Sequence, residues 1–222
     1  LAHIFIADPE SETTATEPSR FDILLYGSRY DEGWPSDSAD DYDYMDIKGL
    51  VENLLGSFYL PSGEYTMAEQ EHPFLLPCVE VRVDGDFLGV LGRIRPEMAD
   101  HYDARKTVWL ADLDADLIME KALAKELAFK DLPKFPSMKR DVTVATPAEI
   151  GVDAILDHIR SARLPILADV KLVDVFETEN GSRNLTFRLV FQHENKTLKD
   201  KDAEKAMKKI TGSLTKALNV SI

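Results

Sequence analysis

The chain has 222 residues, 44% of them hydrophobic, a formal net charge of −14 and one cysteine, Cys78. At about 100–200 residues per domain the length fits one large or two small domains, and the apolar content excludes a disordered chain. No run approaches the ~18 apolar residues of a membrane helix, and one cysteine makes neither an internal disulfide nor a thiolate zinc site; a reducing cytoplasm is the expected location.

The opening Leu1-Ala2-His3-Ile4-Phe5-Ile6 has no basic region before it and is not a signal peptide. It reads as a strand joined in mid-fold, the start of an excised piece. Residues 8–20 and 31–43 are polar and acidic and are expected as loops. Phe21 to Gly27 reads as a buried strand. Tyr44 to Phe58 reads as a helix with Ile47, Leu50, Val51, Leu54 and Leu55 on one face and Asp43 or Asp46 as its N-cap. Val79 to Val83 alternates with period two, Asp84-Gly85 follows, and Phe87 to Gly92 is apolar, which predicts a hairpin. Lys106 to Leu113 is a further strand, and Asp114 to Glu126 a helix with Leu117, Ile118 and Leu123 inward. Hairpin-linked strands predict a mainly antiparallel sheet.

Two prolines and no periodicity mark Leu127 to Ser137 as an extended connection. The expected division is residues 1–128, a linker over 129–137, and a second domain over 138–222. Beyond it, Arg140 to Ala145 is a strand. Thr146-Pro147-Ala148-Glu149 carries the Thr N-cap, Pro at N1 and Glu at N3 of a helix start, and Leu164-Pro165 ends that helix. Asp169 to Glu177 is a strand and Glu179-Asn180-Gly181-Ser182 a turn. Leu185, Phe187, Leu189 and Phe191 share one sheet face; Asn184, Thr186, Arg188, Val190 and Gln192 share the other. Asp200 to Leu218 is a helix, and Asn219 to Ile222 a short last strand. The order β-α-β-β-α-β is the ferredoxin-like arrangement, in which both helices cover one sheet face. The fold class is α+β.

The charge is uneven. Residues 1–128 hold 10 Lys and Arg against 27 Asp and Glu, a net −17; residues 129–222 hold 16 against 13, a net +3. The overall acidity argues against nucleic acid; the split gives the halves different partners. No catalytic or metal constellation stands out. His3, His72, His101, His158 and His193 form no metal-spaced pair, and no Walker loop, H-E-x-x-H or G-x-S-x-G is present. Gly89-Val90-Leu91-Gly92 lies inside a hairpin strand, which is no place for a phosphate cradle. Asp37, Asp40, Asp41, Asp43 and Asp46 lack the order of a calcium loop and read as solvated.

The second domain's open face is more telling. Single-stranded RNA is held by positive charge plus aromatic stacking. Phe176 is the stacking candidate, Arg188 points outward, and Lys199, Lys201, Lys205, Lys208, Lys209 and Lys216 crowd the last helix. The phase of the preceding strand shifts between Leu172 and Val173, which predicts a bulge that presents Phe176. On spacing alone, a core Phe176 and a solvated lysine face remain open.

The second half resembles the ferredoxin-fold anticodon-binding domain of bacterial phenylalanyl-tRNA synthetase β subunits. The resemblance lies in Lys134-Phe135-Pro136-Ser137-Met138-Lys139-Arg140-Asp141-Val142, in Asp174-Val175-Phe176, in Leu185 to Phe191 and in Thr197-Leu198-Lys199-Asp200. The first half resembles the non-catalytic class II synthetase-like domain of the same subunits, through Asp43 to Leu55, His72-Pro73, Val83 to Gly92 and Arg95-Pro96. The family usually has Pro-Gly-Arg-Ser-Ala after that His; here Pro73-Phe74-Leu75-Leu76-Pro77-Cys78 stands.

The resemblance implies an ATP- and magnesium-dependent (αβ)₂ ligase whose α subunit holds the catalytic site, while this part, itself non-catalytic and without a cofactor, packs on α and contacts tRNA-Phe. It implies Asp174, Phe176 and Asn184 as anticodon readers: a hydrogen-bond acceptor for a guanine amino group, a stacking ring and a partner for a base edge. Arg183 and Arg188 are expected at phosphates from their charge. The competing reading is a small-molecule-sensing regulatory protein with a ferredoxin-like ligand-binding domain.

Overall fold

The computed structural model describes residues 1–11, 13–30, 34, 40–126, 128, 131–147, 149–178 and 181–222. They divide into two units, Leu1–Ala128 and Phe129–Ile222. Asp37, the turn residues Glu179-Asn180 and part of the expected linker lie outside the described residues.

In the first unit the chain runs through β1 (Ala2–His3), β2 (Ile6–Ala7), β3 (Ala15–Thr16) and β4 (Ser19–Tyr26) to α1 (Tyr44–Ser57). Next come β5 (Glu64–Met67), β6 (Leu75–Val83), β7 (Asp86–Ile94), α2 (Pro96–His101), β8 (Val108–Asp114) and α3 (Ala115–Ala124). Six strands form one antiparallel sheet in the order β1-β4-β8-β7-β6-β5. The β6–β7 hairpin turns on Asp84 and Gly85, both at positive φ, the turn whose twist matches paired strands. Asp43 caps α1 through bonds from the Met45 and Asp46 amides, and Asp46 accepts the Asp43 amide in return.

Ile47, Val51 and Leu55 of α1 and Ile118 of α3 pack with Val79, Val81, Leu91, Ala111 and Leu113 on one sheet face. Three expectations shift here. Phe21 to Gly27 is half-buried, because its even residues face away from the helices and leave Leu24 and Tyr26 exposed. Leu50 turns partly to solvent. Leu123, in the last turn of α3, is 81% exposed. The two glycines of Gly89-Val90-Leu91-Gly92 allow close backbone approach: a methyl group would strike the Asp112 carbonyl at Gly89 and the Pro77 carbonyl at Gly92. The acidic loop is ion-paired, with Asp41 2.7 Å from Lys106 and Asp43 and Asp46 2.7 and 2.8 Å from Arg29.

The second unit runs β9 (Met138–Pro147), α4 (Val152–Ser161), β10 (Leu167–Glu177), β11 (Ser182–Phe191) and α5 (Asp200–Leu218). The sheet order is β10-β11-β9, and a single bridge from Ala145 to Ser221 extends it beyond β9. The last strand is thus reduced to one bridge. Leu185, Phe187, Leu189 and Phe191 form the core with Val142, Val144, Ile155, Ile159, Ile210 and Leu214. This is the ferredoxin-like layering, with α4 and α5 on one side. The expected helix start at Thr146-Pro147 is overturned. Pairing of β9 with β11 runs on to Pro147 opposite Ser182, and α4 begins at Val152 behind Gly151. Ladder pairing outweighs a local capping signal.

Candidate nucleic-acid interface

The open face of the second sheet owes its chemistry to one irregularity. Leu172 pairs with Phe187 and Asp174 with Thr186, so Val173 is an extra residue in β10. Were Val173 paired as an ordinary strand residue, Asp174 and Phe176 would keep the parity of Val170 and Leu172 and point at the helices. The bulge turns both outward, and Phe176 is 62% exposed.

The register then lays out rows across three strands. Phe176 lies beside Asn184 and Ala145; Asp174 beside Thr186 and Thr143; Lys171 beside Arg188 and Asp141. The Thr143 and Thr186 hydroxyls are 2.9 Å apart. Arg188 and Asp141 form a two-pronged pair, Nε to Oδ1 at 2.8 Å and Nη2 to Oδ2 at 2.7 Å. That bond holds the Asp141 carboxyl below the usual carboxylate range and raises the Arg188 guanidinium above its own. Among the described residues, the Asp174 and Asn184 side chains form no hydrogen bond with the rest of the protein.

The fold therefore brings Asp174, Phe176, Asn184 and Arg188 onto one face. Arg183 is not among them. It has the parity of Leu185, on the helix-covered side, and its Nη2 donates to the Ile150 carbonyl at 3.0 Å. Asp141, Thr143, Thr186 and Lys171 are members the sequence did not single out for this surface as a set; the alternation in β11 names Thr186, but the rest need the register. The α5 lysines Lys201, Lys205, Lys208, Lys209 and Lys216 are exposed on the other layer of the unit.

The first unit's open sheet face holds two cavities. One, about 630 Å³, is apolar and lined by Leu24, Tyr26, Phe74, Ile94, Met98 and Val108 among others. The other, about 860 Å³, is lined by charged groups that pair with one another: Arg20 with Asp112 at 2.7 Å and Arg82 with Glu80 at 3.2 Å. Asp22 stands opposite Asp112; burial first, then that carboxylate, raises its pKa. His72 accepts the Leu75 amide, and burial lowers its pKa. Cys78 is buried, which pushes its thiol up. No group of three metal-ligating side chains occurs among the described residues, and no described helix is long and apolar enough to cross a membrane.

Comparison with known proteins follows the same division. Residues 133–222 match the family described as ferredoxin-fold anticodon binding domain, and residues 1–115 the phenylalanyl tRNA synthetase beta chain CLM domain. A phenylalanine–tRNA ligase beta subunit from Nitratidesulfovibrio vulgaris is 52% identical over 223 residues, covering 100% of this chain and 28% of the relative. That of Oleidesulfovibrio alaskensis is 47% identical over 200 residues, 87% of this chain and 24% of the relative. That of Clostridium tetani is 32% identical over 227 residues, 100% of this chain and 27% of the relative. The chain spans about a quarter of the length of these curated relatives. The matches favour the anticodon-binding reading over the small-molecule sensor.

Proposed function

The chain belongs to the phenylalanyl-tRNA synthetase β-chain family, and from that premise we propose that its second unit binds the anticodon region of tRNA-Phe. Phe176 stacks on a base, Asp174 accepts a hydrogen bond from a guanine amino group, and Asn184 bonds a base edge. The observation that carries this reading is the bulge at Val173, which sets an exposed aromatic ring between two polar side chains with open bonding capacity. Phosphate contacts fall to the sheet's lysines rather than to Arg183, whose guanidinium is turned to the Ile150 carbonyl. The net +3 of residues 129–222 is small for an RNA binder, so the contact is weak and local and serves when the rest of the synthetase holds the tRNA.

The first unit, with −17, packs on the α subunit of an (αβ)₂ heterotetramer in the cytoplasm. Ion pairs on its open face, Arg20 with Asp112 and Arg82 with Glu80, support a packing role rather than a chemical one. ATP and magnesium act in the intact ligase, at the α subunit.

The test is a titration of the chain with tRNA-Phe and with an anticodon-mutated control at two salt concentrations. Stacking is worth about 1–3 kcal/mol per base, so Phe176→Ala should weaken binding about fivefold or more and erase the preference for the native anticodon. Equal affinity for both RNAs, or an unchanged affinity in Phe176→Ala, would overturn the assignment.

A further inference from the structure

We propose that Arg188 is a second base-stacking platform on the same sheet, its guanidinium plane fixed by Asp141 so that it takes a nucleobase rather than a phosphate. The inference rests on the RNA-reading assignment above and adds a subsite to it.

A guanidinium held by two parallel bonds at 2.8 and 2.7 Å has its plane set by the carboxylate. Its in-plane donors on that edge are occupied, and the paired charges largely cancel for a phosphate. What remains is a flat, polarizable face, which is what an unstacked base uses on arginine. The Arg188 and Asp141 side chains are 39% and 42% exposed, so the pair is open to a ligand.

Position supports the same role. Arg188 lies four residues from Asn184 along β11, about 13 Å at the rise of a strand, and on the face that carries Phe176. The row between the two platforms holds the Thr143 and Thr186 hydroxyls. Two hydroxyls that share one bond keep a donor and several lone pairs for a base edge or a ribose 2′-hydroxyl. The track thus reads ring, hydroxyls, guanidinium. Lys171, opposite Arg188 and exposed, makes no ion pair among the described residues and is a cation left for the backbone phosphate.

A phosphate contact and a stacking shelf predict opposite behaviour in two variants. The full chain is titrated with the anticodon stem-loop RNA of tRNA-Phe, with Phe176→Ala as reference and melting curves confirming that each variant folds. For a shelf, Arg188→Lys loses about fivefold, as Arg188→Ala does, because lysine keeps the charge but not the plane. Asp141→Asn also weakens binding, even though it removes a negative charge from an RNA-binding face. For a phosphate contact, Arg188→Lys stays near wild type and Asp141→Asn tightens binding; either result overturns the proposal. If Phe176→Ala weakens binding while Arg188→Lys does not, the shelf alone falls. If Phe176→Ala has no effect, the RNA-reading assignment itself falls.

Discussion

Both units cover one face of an antiparallel sheet with helices and leave the other face open, yet the two open faces differ in kind. In the first, opposite charges meet partners close at hand: Arg20 with Asp112 across neighbouring strands, Arg82 with Glu80 two residues away on the same strand. A face whose polar groups satisfy one another has little left for a ligand. In the second, a bulge brings out a phenyl ring and two polar side chains that bond nothing else described, and the ion pair of Arg188 with Asp141 fixes the plane of an arginine. Recognition surfaces leave bonding capacity unfilled at the price of local stability, and the second sheet fits that pattern.

The largest effect that sharpens this contrast is on the core beneath the second face. Phe187 is fully buried, and Phe187→Ala should cost about 3–5 kcal/mol. Both tryptophans, Trp34 and Trp109, belong to the first unit. In urea, the fluorescence transition should stay where it is while the far-ultraviolet dichroism acquires an earlier step and RNA binding is lost. A fluorescence transition that moves as far as the dichroism would mean that the two units unfold as one, and the faces could not be treated separately.

Deleting Val173 asks what the bulge contributes beyond choice of face. The registers on either side, Leu172 with Phe187 and Asp174 with Thr186, become continuous when the extra residue is gone. Phe176 therefore stays outward, and stability should change by no more than about 1 kcal/mol. Affinity for RNA should fall less than in Phe176→Ala. An equal fall would show that the bend itself aims the ring, since bulges also raise local twist.

How much of this was legible in the sequence follows the range of the interactions. The α1 cap, the Asp84-Gly85 hairpin, the alternation in β11 and the phase shift before Phe176 are local signals, and each has its counterpart in the fold. The helix start at Thr146 was equally local and failed, because strand pairing to Pro147 reaches across to Ser182. Arg183 illustrates the same limit: its charge suggested a phosphate, but its parity with Leu185 sends it to the helix side. The partnership of Arg188 with Asp141 joins residues 47 apart and depends on register. Asp141 stood within the Lys134 to Val142 match without any role that sequence spacing could give it.

The smallest effect probes the one flaw in the first face. Asp22 and Asp112 lie directly opposite across β4 and β8, and like charges so placed are destabilising. The Asp22 pKa is raised, by burial and then by Asp112, with Arg20 opposing. A raised folded-state pKa means that the folded form favours the proton. The stability this group contributes is present below its unfolded pKa, near 3.8, and is lost as pH rises through the folded value. Asp22→Asn carries no such charge. It should therefore stabilise the first unit at pH 7 by about 0.2–1 kcal/mol, with the gain vanishing towards pH 3, as followed by tryptophan fluorescence in urea. A loss of stability at pH 7 would instead mean that attraction between Asp22 and Arg20 outweighs the repulsion, and that the first face is charge-matched throughout.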